Sequence, residues 1–247
     1  MFKDEALVNN FAGNDIVLVI PGFRLGFLGL LTFNSDKIVP RNIAAYDLLA
    51  ALHFVKDEIK HFGGNPNDVT LFGHSEGATA SAQFAFSKQI DPEGKLFQKA
   101  VMMSMHYAFA NLTHLEDVTM ELAYRLKCSP ARGARNLTSA FVNGVVTCLR
   151  NISSIELLRV QREMEDENER LKPELLLMTA PLFDAKDLQE FLSDPPLRTI
   201  LVGSTLNEMD FSYDPAEIDI IKLLSLKNRQ EVVERFRRDA SLKKLRK

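Results

Sequence analysis

The 247-residue chain is 46% hydrophobic and 26% charged, the balance of an ordinary globular protein with enough apolar residues to fill a sizeable core. A formal net charge of −3 and a pI near 6.0 give no overall attraction for nucleic acid or an anionic membrane, so nucleic acid is not expected as a partner. The longest apolar stretch, 16–20, ends at Pro21-Gly22, far short of the roughly 20 residues a membrane-spanning helix needs. The start Met-Phe-Lys-Asp-Glu has no apolar run behind it and does not read as a secretory signal.

Residues 15–23 read as a buried strand, because Ile, Val and Leu follow one another until Pro21-Gly22, as in a parallel sheet covered on both faces. The run-on Arg24-Leu-Gly-Phe-Leu-Gly is too glycine-rich for a helix. Over 44–62 the stripe Leu48, Leu52, Val55, Ile59, Phe62 recurs every three or four residues with Asp57, Glu58 and Lys60 off it. That pattern predicts an amphipathic helix stopped by Gly63-Gly64. After the loop 65–68, residues 69–72 form a short β-branched and apolar strand, and the alanine-rich 78–86 a buried helix. A strand at 99–105, helices at 115–126 and 155–163, and a strand at 199–202 follow. This alternation predicts an α/β domain with a mostly parallel sheet flanked by helices. The mainly helical, charged stretch 110–196 reads as an insertion before the sheet resumes, and the charged pattern over 231–247 as a solvated helix face.

Cys128 and Cys148 bracket a loop containing Gly133 and Asn136. They either close it as a disulfide or flank it as two separate thiols, the expected state in a reducing compartment. Asn-x-Ser/Thr tripeptides at Asn111, Asn136 and Asn151, candidate N-glycosylation sites, lean toward an oxidising one. No metal and no cofactor is expected.

The sharpest chemical signal is Gly73-His74-Ser75-Glu76-Gly77. In a Gly-x-Ser-x-Gly elbow the serine occupies a tight strand-to-helix turn, and the glycines let backbones approach where a Cβ would clash. By composition alone this skeleton arises in such a chain with a chance of roughly one in ten. Context raises it, since a strand precedes and a helix follows Ser75. Ser75 is the candidate nucleophile, and the backbone N–H of Glu76, at the positive end of the helix dipole, a candidate oxyanion donor. His74 is assigned a structural role, because a neighbour in the elbow projects away from the serine.

The segment from Phe62 through Gly-Gly-Asn-Pro-Asn-Asp-Val-Thr-Leu-Phe to Gly73-His74-Ser75-Glu76-Gly77, preceded by Arg24-Leu-Gly-Phe-Leu-Gly, resembles the type B carboxylesterase and cholinesterase-like family. The resemblance runs over about 14–206 and takes in Asn42, Asp47 and Ala51-Leu52. It implies an incomplete α/β-hydrolase fold, a single partial domain over 1–247, and hydrolysis of small-molecule carboxylic esters through an acyl-enzyme. By the same resemblance Ser75 aligns with the nucleophile. Glu208 aligns with the acid, five residues beyond Gly203, although Met209 replaces the glycine that usually follows. Cys128 and Cys148 match a disulfide-closed loop, which implies a secreted or endoplasmic-reticulum protein.

The departures shape the functional expectation. All five histidines, His53, His61, His74, His106 and His114, precede Glu208, whereas this fold orders its triad as Ser, acid, His. Only about a dozen residues precede Asp15, where the family carries its oxyanion glycines, and Glu76 replaces an alanine. The chain is therefore expected to be a piece of an active esterase with little turnover alone and poor autonomous stability. The alternative is a non-catalytic adhesion or scaffold member of the superfamily with a protein partner. Ser75 argues against that alternative; Glu76 and Met209 argue mildly for it.

Overall fold

The computed structural model describes residues 3–33, 35–106, 108–133 and 137–205; all but Ser204 and Thr205 belong to one compact unit, Met1–Gly203. In chain order this unit comprises helices α1 (Asp4–Asn10), α2 (Gly26–Leu30) and α3 (Ile43–Glu58), strand β1 (Thr70–His74), helix α4 (Glu76–Phe86) and strand β2 (Lys99–Met103). Helices α5 (Leu112–Arg125), α6 (Ser139–Arg150), α7 (Ser154–Glu167) and α8 (Leu188–Leu192) follow, then strand β3 (Thr199–Gly203).

The three strands make one parallel sheet in the order β1-β2-β3. The register sets His74 opposite Met103 and Met103 opposite Gly203. All three strands therefore end at one edge, and the loops that leave them start side by side, where sites of open α/β sheets form. α4 packs against β1 and β2 and brings Ala78, Ala82 and Ala85 into a core with Ala45, Phe97, Ala100, Met102 and Phe183. Small alanines let the helix approach the sheet closely. A second core joins Phe27 and Phe33 to α5, α6 and α7 through Met120, Leu122, Val142, Val145 and Met164.

Two buried polar devices tie distant segments to this frame. Asn42, at a left-handed φ of 58° and 3% exposed, donates from Nδ2 to Leu177 O at 2.8 Å and accepts from Leu177 N–H at 2.7 Å. The side chain thus imitates a strand neighbour. Just before β3, the Arg198 guanidinium stacks on the Phe97 ring at 3.9 Å, faces Asp91 at 3.3 Å, and donates to the main-chain oxygens of Asp91 and Phe97. Burial pushes the Arg198 pKa down, and the Asp91 charge resists that shift.

The helix expected over 44–62 forms as α3 and continues as a 3₁₀ turn over Ile59–Phe62, ended by Gly63 at φ 83°. The expected strands before Ser75, at 99–105 and at 199–202, and the helices after Ser75, at 115–126 and at 155–163, are all found. Three expectations are corrected. The strand expected over 15–23 does not form: Ile16 and Ile20 are 50% and 69% exposed, and no described strand pairs with them. An extended apolar run becomes a parallel strand only when neighbours satisfy its backbone. The glycine-rich segment after Arg24 is helical after all, as α2. Its Gly26, at φ 54°, sits where a Cβ would meet the Gln161 side chain at 2.4 Å, and Gln161 Oε1 accepts from the Phe27 N–H at 3.1 Å. The stretch between the cysteines is not wholly loop, because α6 runs through it to Cys148. Its valines and Gly144 are poor helix formers, and burial of Val142, Val145, Val146 and Leu149 along one stripe outweighs that deficit. The pattern over 231–247 lies outside the described residues.

Candidate active site

Ser75 links β1 to α4 with φ 55° and ψ −123°, a region non-glycine residues rarely occupy at a cost on the order of 1–3 kcal/mol. The surroundings hold it there from both sides. Its N–H donates to Met103 O at 3.0 Å, and its carbonyl accepts from the N–H groups of Ala78 and Thr79 at 2.9 and 3.0 Å. The residue itself is exposed, as are Glu76 and Gly77. Ser75 is thus an exposed residue on a cramped backbone at the carboxyl edge of a parallel sheet.

The two flanking glycines differ. A Cβ on Gly73 would fall 2.0 Å from Gly77 O, so strand and helix can close only around a residue without a side chain. A Cβ on Gly77 would meet nothing within 4 Å among the described residues; the close approach expected of both is made by one. The Glu76 N–H is the first of α4, and the leading N–H groups of a helix have no acceptor a turn before them in the helix.

Glu208 lies outside the described residues, as does Asn136. Asn111 caps α5, its Oδ1 accepting from the His114 N–H at 3.0 Å, and Asn151 caps the end of α6, its Nδ2 donating to Thr147 O at 2.9 Å. Both are exposed. Cys128 and Cys148 are joined as a disulfide, which decides between the two thiol readings. His53, His74 and His114 are exposed, and His61 faces Glu58 at 3.9 Å.

His106 is the residue that sequence reasoning missed. It belongs to the loop leaving β2, and its Nδ1 lies 3.3 Å from Glu76 Oε1, beside the elbow. The signal that could have found it was topological, since loops after adjacent parallel strands share one edge. Elsewhere in the fold, Arg24 donates its main-chain N–H and Nε to Asp47 Oδ2 at 2.9 and 2.8 Å, and Nη2 to Oδ1 at 2.6 Å. This fork holds the Asp47 carboxyl below its usual range. Hollows of about 540 Å³ beside Cys128 and 340 Å³ beside Asn111 and Thr179 are not lined by Ser75. Among the described residues no three His, Cys, Asp or Glu gather as a metal site, and no helix is long and apolar enough to cross a membrane.

A parallel sheet with flanking helices and a strained serine at its carboxyl edge defines an α/β-hydrolase type of protein. The chain belongs to the Carboxylesterase family, whose model matches residues 1–244. It is 29% identical to Gut esterase 1 of Caenorhabditis briggsae over 87% of its own length and 38% of that protein's. It is 34% identical to Acetylcholinesterase-1 of Trittame loki over 65% of its length and 28% of that protein's. With Carboxylesterase 5A of Mus musculus the identity is 32%, over 60% and 24% respectively. The chain thus spans well under half the length of these relatives.

Proposed function

We propose that Ser75 is the nucleophile of a serine carboxylesterase site acting on small-molecule esters. Its Oγ attacks the ester carbonyl and passes its proton to a general base. The tetrahedral oxyanion accepts from the Glu76 N–H, the alcohol leaves with a proton, and water releases the acid from the acyl-enzyme. Glu208 is the acid that orients the base. The observation that best supports this reading is the backbone of Ser75, positive in φ between β1 and α4 and hydrogen-bonded on both sides, in a chain of this family.

The five histidines all precede Glu208, against the order in which this fold arranges its triad. Ester turnover by these 247 residues alone therefore stays near background, since a serine without its base is a poor nucleophile. The helices between β2 and β3 form an insertion, about 110–196, in a single domain. The Cys128–Cys148 disulfide fits a protein of the secretory route, with Asn111, Asn136 and Asn151 as candidate glycosylation sites.

The test is modification by a fluorophosphonate, followed by intact mass, together with hydrolysis of a short-chain aryl ester. The expected result is slow labelling on Ser75, abolished by Ser75→Ala, with ester hydrolysis no faster than in that variant. Labelling that survives Ser75→Ala refutes the assignment. A complete failure to label favours a non-catalytic binding member of the superfamily.

A further inference from the structure

The residue after Ser75 creates an electrostatic problem. Glu76 is the proposed oxyanion donor through its main chain, yet a carboxylate beside the elbow disfavours negative charge developing there. The side chain is not left alone, because Glu76 Oε1 lies 3.3 Å from His106 Nδ1. His106 is brought there by the sheet, since its loop leaves β2, the strand in register beside β1. That loop is fastened to the elbow independently of the pair: Thr79 Oγ1 donates to His106 O at 2.5 Å, and the Ser75 N–H donates to Met103 O. The side chains are 44% and 65% exposed, so the pair contributes little to stability. Its charge nevertheless acts at close range on the next residue.

We infer that His106 is the counter-ion of Glu76, holding its carboxylate and cancelling its charge beside Ser75. The inference rests on Ser75 being the reactive group. His106 is a positioning residue in this scheme: it touches Glu76 and takes no proton from the serine. Among the described residues, Glu76 is the charged group paired with it.

The rate of fluorophosphonate modification of Ser75, measured on the full chain, tests this. His106→Gln slows modification roughly three- to tenfold, the size expected of a partly exposed charge. His106→Lys, or Arg should Lys fold poorly, keeps the rate, because either side chain sets a cation beside the Glu76 carboxylate. Glu76→Gln keeps the main-chain N–H and removes the carboxylate, so adding His106→Gln to it costs nothing beyond the Glu76→Gln variant alone. Equal thermal unfolding of the variants shows that the fold is intact. An equal loss from His106→Gln with and without Glu76 overturns the inference, since the ring then acts on the serine or the fold. Equal rates in every variant overturn it too. Absence of Ser75 labelling in the unchanged chain overturns the nucleophile reading, and the counter-ion role with it.

Discussion

Replacing Gly73 by alanine tests the geometry on which the elbow depends. The added Cβ would lie 2.0 Å from Gly77 O, 2.2 Å from Gly77 C and 2.5 Å from Ala78 N, all main-chain atoms. Tolerable contacts begin at 3.0–3.4 Å, so the first turn of α4 must withdraw from β1 by about 1.0–1.4 Å. That movement stretches the 2.9 and 3.0 Å bonds from Ala78 and Thr79 to the Ser75 carbonyl. Overpacking of this kind costs about 1–3 kcal/mol, lowering the melting temperature by about 2–4 °C for each kcal/mol. A displacement near 1 Å slows a reaction at the serine by roughly a hundredfold. Gly77→Ala is the internal control: its Cβ meets nothing within 4 Å among the described residues. Alanine there raises helix stability by up to about 1 kcal/mol. Thermal unfolding and the rate of fluorophosphonate modification are measured for both variants. The reasoning is refuted if Gly73→Ala melts and reacts like the unchanged chain, or if Gly77→Ala is equally damaging.

Asn42→Ala leaves the N–H and C=O of Leu177 without the partners they now have at 2.7 and 2.8 Å, costing about 2–5 kcal/mol in urea unfolding. Asn42→Gly suits the positive φ and still loses most of that stability; a change below about 1 kcal/mol would sink the account. Replacing Cys128 and Cys148 by serine opens a loop closed across a sequence separation of 20, with an expected loss of about 3 kcal/mol, and an unshifted urea midpoint would count against it. For Asp47, the Arg24 hydrogen bonds hold the folded pKa below the unfolded value near 3.9. The stabilisation is therefore complete above about pH 4 and lost as pH falls through the lowered folded value. Asp47→Asn should weaken the fold at neutral pH and flatten its loss in acid; parallel acid-unfolding curves for the two proteins would contradict this.

The sequence by itself carried everything that follows from local pattern. The stripe of α3, the alanines of α4, the apolar runs of β1, β2 and β3, and the strand–serine–helix order are periodicities that burial and backbone pairing reward wherever they occur. The tertiary structure decided what depends on neighbours. Residues 15–23 have a strand's composition, but composition supplies no hydrogen-bond partner, and no described strand pairs with them. α2 and α6 look unhelical, yet the Gln161 contact and the buried valine stripe stabilise them. The spacing of Cys128 and Cys148 left two thiol states open, the family resemblance implied the disulfide, and the fold joins them. His106 and Glu76 are far apart in the chain and meet because β1 and β2 run parallel in register. Such proximity is a property of topology, which no local pattern encodes.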